Sequence, residues 1–189
     1  MGMNEEESNQ YERLQDLKKR LEKPSQSKVV LVGDVMLDRY IHGYANDLNS
    51  RAPVPVLKET NRYDDVGAAA HVARGLESLG LHALLHGVIG KDSAGKIILD
   101  SLNEEGVDCK HIKSVENKVT TVKNRLIASR PSLLHNEQLL LRWDIENRED
   151  IPSSTLEVLI DEAVKNLDEA NVLIISDYGH GVVNDEGAK

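Results

Sequence analysis

The chain has 189 residues, about one domain's worth by the prior of roughly 150 residues per domain, and enough for one sizeable core. Its 23 Lys and Arg stand against 32 Asp and Glu, net charge −9, which argues against a nucleic-acid partner because that affinity rests on clustered cations. The lone Cys109 excludes an internal disulfide and fits a reducing, cytoplasmic compartment, while an acidic start and no apolar run near about 18 residues predict a soluble, unprocessed protein with no membrane partner.

Tyr11, Leu14, Leu17 and Leu21 recur at helical spacing and predict a helix within residues 4–22. Pro24, Ser25, Gln26 and Ser27 interrupt it, so 1–27 reads as a helix and linker ahead of a unit spanning 28–189. The apolar, β-branched run Val29 to Val32 predicts a buried strand that opens into a loop at Gly33 and Asp34. Between 38 and 59, short pieces such as Val54-Pro-Val56 predict edge strands, because a central strand tolerates proline poorly. The alanine-rich stretch from Gly67 to Leu79 predicts a helix stopped by Gly80. His82 to Ile89 reads as a strand, Asp92 as the N-cap of a helix through about Glu105, and Gly106 as its stop.

Between Val107 and Ile145, the β-rich pieces 119–127 and 139–143 flank a turn at Arg130-Pro-Ser132. Ser154 and Glu157 stand at capping-box spacing and announce a helix before a strand from Val172 to Ile175. Val183 to Lys189 look like the opening of a further helix, so the chain looks incomplete. Strands alternating with helices imply an α/β fold with a mainly parallel sheet and flanking helices, and the clustered pieces at 38–59 and 107–145 imply a small β lid.

Gly90-Lys-Asp-Ser-Ala-Gly95-Lys96 has the glycine and lysine spacing of a phosphate-binding loop, which would make the chain a nucleotide hydrolase. Ile97 stands where the magnesium-ligating hydroxyl belongs, so Gly90 and Gly95 read instead as turn and packing residues, and Lys96 as a dispensable surface residue. His82 and His86 would share a strand face, yet no helix-borne His-Glu-x-x-His and no cysteine pair occur, and no metal site is expected. Cys109 carries no nucleophile signature.

Six pieces in register carry a resemblance: Gly33-Asp-Val-Met-Leu-Asp38, Ala52-Pro-Val-Pro-Val56, Gly67-Ala-Ala-Ala-His-Val-Ala73, Gly90-x-Asp92-x-x-Gly95, Thr120-Thr-Val-Lys123 and Ser176-Asp-Tyr-Gly-His-Gly181. Together they resemble the ribokinase-like carbohydrate kinases, and within them the kinase part of the bacterial heptose 7-phosphate kinase and adenylyltransferases of lipopolysaccharide precursor synthesis. The resemblance covers about 28–189, the N-terminal half of such a kinase.

It implies sugar-hydroxyl contacts for Asp38, helped by Asp34, since a carboxylate offers several lone pairs. It further implies a substrate-facing backbone at Gly67 and Ala68, and substrate contacts from His71, Lys123, Asp177 and His180, with Lys123 facing a sugar phosphate. Ala68, His71, His180 and Arg51 depart from the family's usual glycine, asparagine, lysine and acidic residue. ATP and Mg²⁺ are implied for a complete enzyme, and a homodimer through the β lid for its assembly. The family's Gly-Ala-Gly-Asp turn, which supplies base and anion hole, does not occur in the 189 residues, so no catalytic residue is assigned and no turnover by this chain alone is expected. The alternative is a non-catalytic domain that keeps the fold for binding or assembly.

Overall fold

Val29, Val30 and Leu31 are at most 3% exposed, and a strand buried on both faces needs cover on both sides. They belong to β1 (Lys28–Gly33) in a computed structural model that describes residues 5–21, 27–129, 137–147 and 151–183. Ahead of it lies α1 (Glu5–Leu21), whose Tyr11, Leu14 and Leu17 are all exposed, so these three residues of the predicted apolar stripe are not buried against the described residues. After β1 come β2 (Val35–Leu48), β3 (Pro55–Ala68), α2 (Ala69–Ser78), β4 (His82–Gly90), α3 (Ser93–Glu104) and β5 (Ile112–Val115). The described chain finishes with β6 (Thr121–Ser129), β7 (Glu137–Ile145), α4 (Ser153–Leu167) and β8 (Val172–Ser176).

The strands form two sheets. One is parallel throughout, in the order β5-β4-β1-β8. In the other, β3-β2-β6-β7, the central pair is parallel and each outer strand is antiparallel to its neighbour. Side chains alternate across the parallel sheet: Leu31 and Leu85 pack with Ala69, Ala70 and Ala73 of α2 and with Ile98 and Leu102 of α3. Val30 and Leu84 face the other way, onto Ala163 of α4. This is the expected α/β fold with a parallel sheet, flanking helices and a small separate sheet, and no described helix is long and apolar enough to cross a membrane.

Several local expectations change. The stretch from 38 to 59 was predicted as edge strands, but β2 is an internal strand 14 residues long, and only β3, which begins at Pro55, lies on the edge. Both prolines fall outside β2, at the start of β3 and in the connection before it. The predicted lid segment 107–145 divides, because β5 pairs with β4 in the parallel sheet and only β6 and β7 join the second sheet. The helix predicted from Gly67 starts at Ala69, since Met36↔Gly67 and Val35↔Ala68 are ladder pairs and tertiary pairing outweighs alanine's helix propensity.

Asp92 caps α3 as predicted, its carboxylate accepting from the Gly95 amide at 2.8 Å, and Gly106 follows at φ +82°. The capping box does not form: α4 starts at Ser153 behind Pro152, with no side-chain cap hydrogen bond. The turn at Arg130-Pro-Ser132 and the helix opening beyond Val183 fall outside the described residues. β8 is an edge of the parallel sheet, with Val172, Leu173 and Ile175 exposed.

Candidate functional site

The strand register of the second sheet decides which side chains meet, because paired residues on neighbouring strands share a face. Asp38 stands opposite Asp65 on one side and Lys123 on the other, and Tyr40 stands opposite Tyr63 and Arg125. All of these but Tyr63 look into a cavity of about 360 Å³ between the second sheet and the start of α2. Met36, Asp38 and Tyr40 of β2, Asp65 to Ala68 of β3, His71 and Val72 of α2, Lys123 and Arg125 of β6, and Tyr178 after β8 line it.

Most of the charge in the wall is already matched. Arg125 Nη1 donates to Asp38 Oδ1 at 2.6 Å and its guanidinium lies 5.2 Å from the Tyr40 ring centre. Burial works against the Arg125 charge, but the hydrogen bond to Asp38 and that carboxylate's field prevail and raise its pKa. Tyr40 in turn stacks on Tyr63 with centroids 4.8 Å apart. Arg74 of α2 donates to Asp65 and also, at 2.8 Å, to His71 Nδ1, which is therefore an acceptor. The Arg74 hydrogen bond holds the Asp65 carboxyl below the usual carboxylate range. Lys123 differs: its ammonium lies 5.7 Å from the Tyr178 ring centre, and among the described residues it has no carboxylate within ion-pair distance.

Gly67 is needed for the site's shape, since a Cβ there would lie 2.9 Å from Asp38 Oδ2 and 3.1 Å from Met36 Cγ. Ala68, the next residue, has φ +53° and ψ −129°, a conformation open to glycine and strained for any L side chain. The departure noted in the sequence thus has a physical cost. Ala68→Gly should raise unfolding stability by about 1 kcal/mol, the relief of roughly 1–3 kcal/mol of strain less about 0.5–1 kcal/mol of added chain entropy. Urea denaturation checks it, and an unchanged or lower midpoint at constant slope would refute the strain.

Of the residues expected to contact substrate, Asp38, Gly67, Ala68, His71 and Lys123 come together at this cavity. The other three do not. Asp34 is 1% exposed and spends its carboxylate on backbone amides. Asp177 is exposed and accepts from the Gly179 amide in a local turn. His180 turns its Nδ1 toward Thr121 Oγ1 at 3.4 Å and Glu146 at 3.6 Å. Arg51 is exposed, in the connection between β2 and β3. Sequence reading missed Tyr40, Asp65, Arg125 and Tyr178; two of them were within reach, since Tyr40 and Arg125 lie two residues beyond Asp38 and Lys123 and so share their strand faces.

The glycine loop before α3 is not open to phosphate. Asp92 Oδ2 accepts from the Thr120 amide at 2.8 Å, the Gly90 amide donates to Thr120 Oγ1 at 2.8 Å, and Lys96 is exposed on the helix. A second cluster, unforeseen in the sequence, lies under α4: His86, His111 and Glu162 offer ligand atoms within 4.8 Å of one another. Lys113 Nζ already holds both Glu162 oxygens at 2.7 and 2.8 Å, and Asn166 Nδ2 lies 3.2 and 3.1 Å from Nε2 of His86 and His111. Glu162 and the two Nε2 atoms are taken up by these partners, while the buried His86 Nδ1 has none among the described residues.

Residues 26–178 match the pfkB family of carbohydrate kinases. The chain belongs to that family. Relatives of this pfkB-family chain include the bifunctional protein HldE of Pseudomonas paraeruginosa, 40% identical over 160 residues, which cover 84% of this chain and 31% of HldE. The chain thus spans about a third of the length of that relative. Phosphofructokinase-2 from Escherichia coli, solved in complex with fructose-6-phosphate, shares the fold at TM-score 0.60 and 16% identity over 87% of this chain and 49% of its own. Arabidopsis thaliana ribokinase, solved with ribose and ATP, superposes at TM-score 0.54 and 18% identity over 80% of this chain and 45% of its own.

Proposed function

We propose that this chain is the sugar-binding half of an ATP-dependent carbohydrate kinase, that its sugar carries an anionic group, and that heptose 7-phosphate is the leading candidate. The observation that carries the reading is the unmatched Lys123 ammonium in the same cavity wall as Asp38. Asp38 keeps lone pairs beyond the one Arg125 uses and can accept from sugar hydroxyls, while Lys123 supplies a point charge for a phosphate. The heptose, a cytoplasmic setting and a place in lipopolysaccharide precursor synthesis are what the motif resemblance implies, and the 40% identity to HldE is in line with that resemblance.

Phosphoryl transfer needs a positioned base and donors to the equatorial oxygens. The sequence lacks the turn that would provide them, and among the described residues the one glycine loop with phosphate-loop spacing is filled by its own contacts. These residues do not fit a nucleoside triphosphate, so ATP and Mg²⁺ belong to a complete enzyme. A homodimer through the second sheet fits the exposed Leu141 and Trp143 on its edge strand β7.

Calorimetry against sugars and sugar phosphates tests the reading. Wild type should bind a phosphorylated sugar selectively, Asp38→Ala should weaken binding at least about tenfold, in line with a lost hydrogen bond to a charged group, and Lys123→Ala should erase the preference for the phosphorylated form. The same sample should scatter light as a dimer and release no sugar-dependent ADP. A second reading, a non-catalytic binding or assembly domain, is favoured by the strained Ala68 in the cavity wall. Intact folding with no sugar bound would support it and defeat the first.

A further inference from the structure

Asp34 is the one carboxylate in the core among the described residues, and all its visible partners are backbone amides of one loop. Its Oδ2 accepts from Tyr178 at 2.8 Å and His180 at 3.1 Å, and its Oδ1 from Val182 at 3.2 Å. Between these donors stand Gly179 and Gly181, at φ +76° and +93°. Alternating the sign of φ along a chain turns its N–H groups toward one side and makes a concavity that binds anions. The glycines are what let three amides converge, and Asp34, at the end of β1, fills the concavity from within. The other charged group facing it is Lys118, partly buried on the segment before β6.

The loop so held reaches the cavity. Tyr178 lines it, and among the described residues the Tyr178 ring is the partner of the Lys123 ammonium. A lysine has four rotatable bonds, so a ring fixed beside it restricts where its charge sits. We propose that Asp34 is a positioning residue: an internal anion seated in the 178–182 amide nest, which fixes the Tyr178 ring and through it places Lys123 in the cavity. The first half stands on the hydrogen bonds alone. The consequence for ligand selection rests on the sugar-anion reading of Lys123. The Gly33-Asp34 and Asp177-Tyr-Gly-His-Gly181 motifs are then two halves of one device.

The test is removal and chemical rescue. In Asp34→Ala, amide proton resonances of Tyr178, His180 and Val182 should move upfield, and the ring-current shift of the Lys123 side-chain methylenes should be lost. Added formate, a carboxylate small enough for the vacated nest, should restore both, while equal chloride should not. Affinity for a phosphorylated sugar should fall at least tenfold, with little change for the unphosphorylated sugar, and formate should restore the preference. A destabilised but correctly positioned loop would lose midpoint temperature without losing that preference. Should Asp34→Ala fail to fold, Asp34→Asn, which keeps the volume, is read by the same three amides and the Lys123 signals. Unmoved resonances in a folded variant, or no recovery with formate, would overturn the proposal. If wild type binds no sugar phosphate, the sugar reading fails, while the amide and Lys123 signals still decide whether Asp34 positions the loop.

Discussion

Lowering the pH from 6.5 to about 4 should remove about 3 kcal/mol of folding stability through one residue, His86. Its ring is fully buried, stacks on His111 with centroids 4.4 Å apart, and accepts from Asn166 at Nε2. Burial first, and then the neighbouring His111, pushes its pKa down from 6.5 to about 4. In the unfolded chain His86 takes its proton near 6.5, and in the folded chain only near 4. Between those values the unfolded state binds more protons, so stability rises with pH through this window and falls as the pH drops. Two and a half pKa units at 1.36 kcal/mol each give about 3 kcal/mol.

Carboxylates that their partners hold below the ordinary range, Glu162 beside Lys113 and Asp65 beside Arg74, also lose stability toward the acid end, so the comparison must be with a variant. With Nε2 accepting, the proton sits on Nδ1, which has no hydrogen-bond partner, and a buried orphan donor costs about 1–3 kcal/mol. His86→Leu therefore should cost little near pH 7.5 and flatten the pH dependence. Urea unfolding from pH 7.5 to 4 measures both, and parallel stability curves for the two proteins would rule the account out.

How far the sequence could be read follows from where each signal lies. β1, β4 and β8 were legible because each is a short, mainly apolar run bounded by Gly, Pro or polar residues, a signal that β8 carries even though Val172, Leu173 and Ile175 are exposed at the sheet edge. β2 was not, because its 14 residues mix Asp38, Arg39, Tyr40 and His42 on a sheet with two polar faces, which leaves no single period to detect. The start of α2 was misplaced because pairing with β2 outweighs local propensity at Gly67 and Ala68.

Among site residues, Asp38 and Lys123 were reachable through a family likeness and end as a facing pair in the register. Asp34 could not be told from Asp38 by type or neighbourhood. What separates them is a contact 144 residues away, at the Tyr178 amide. The His86, His111 and Glu162 group is assembled the same way, from β4, the turn before β5, and α4.

The last case is the glycine pair at 90 and 95, where a chemical and a structural reading predict opposite mutants. A phosphate loop would depend on Lys96 for nucleotide binding, and its glycines would serve the ligand rather than the fold. The structure reverses this. A methyl on Gly90 would overlap the Lys118 carbonyl oxygen and lie 2.8 Å from the Thr120 nitrogen, and neither backbone atom can step aside without breaking the Asp92–Thr120 and Gly90–Thr120 hydrogen bonds.

Gly90→Ala should therefore cost about 3 kcal/mol, the upper end of ordinary overpacking, and lower the melting midpoint by roughly 10 °C for a chain of this size. Lys96→Ala should stay within about 0.5 kcal/mol of wild type, as exposed helix positions do. Thermal unfolding of the two variants side by side decides between the readings, with nucleotide binding followed by calorimetry as the second readout. A stable Gly90→Ala, or ATP binding present in wild type and absent in Lys96→Ala, would restore the phosphate loop.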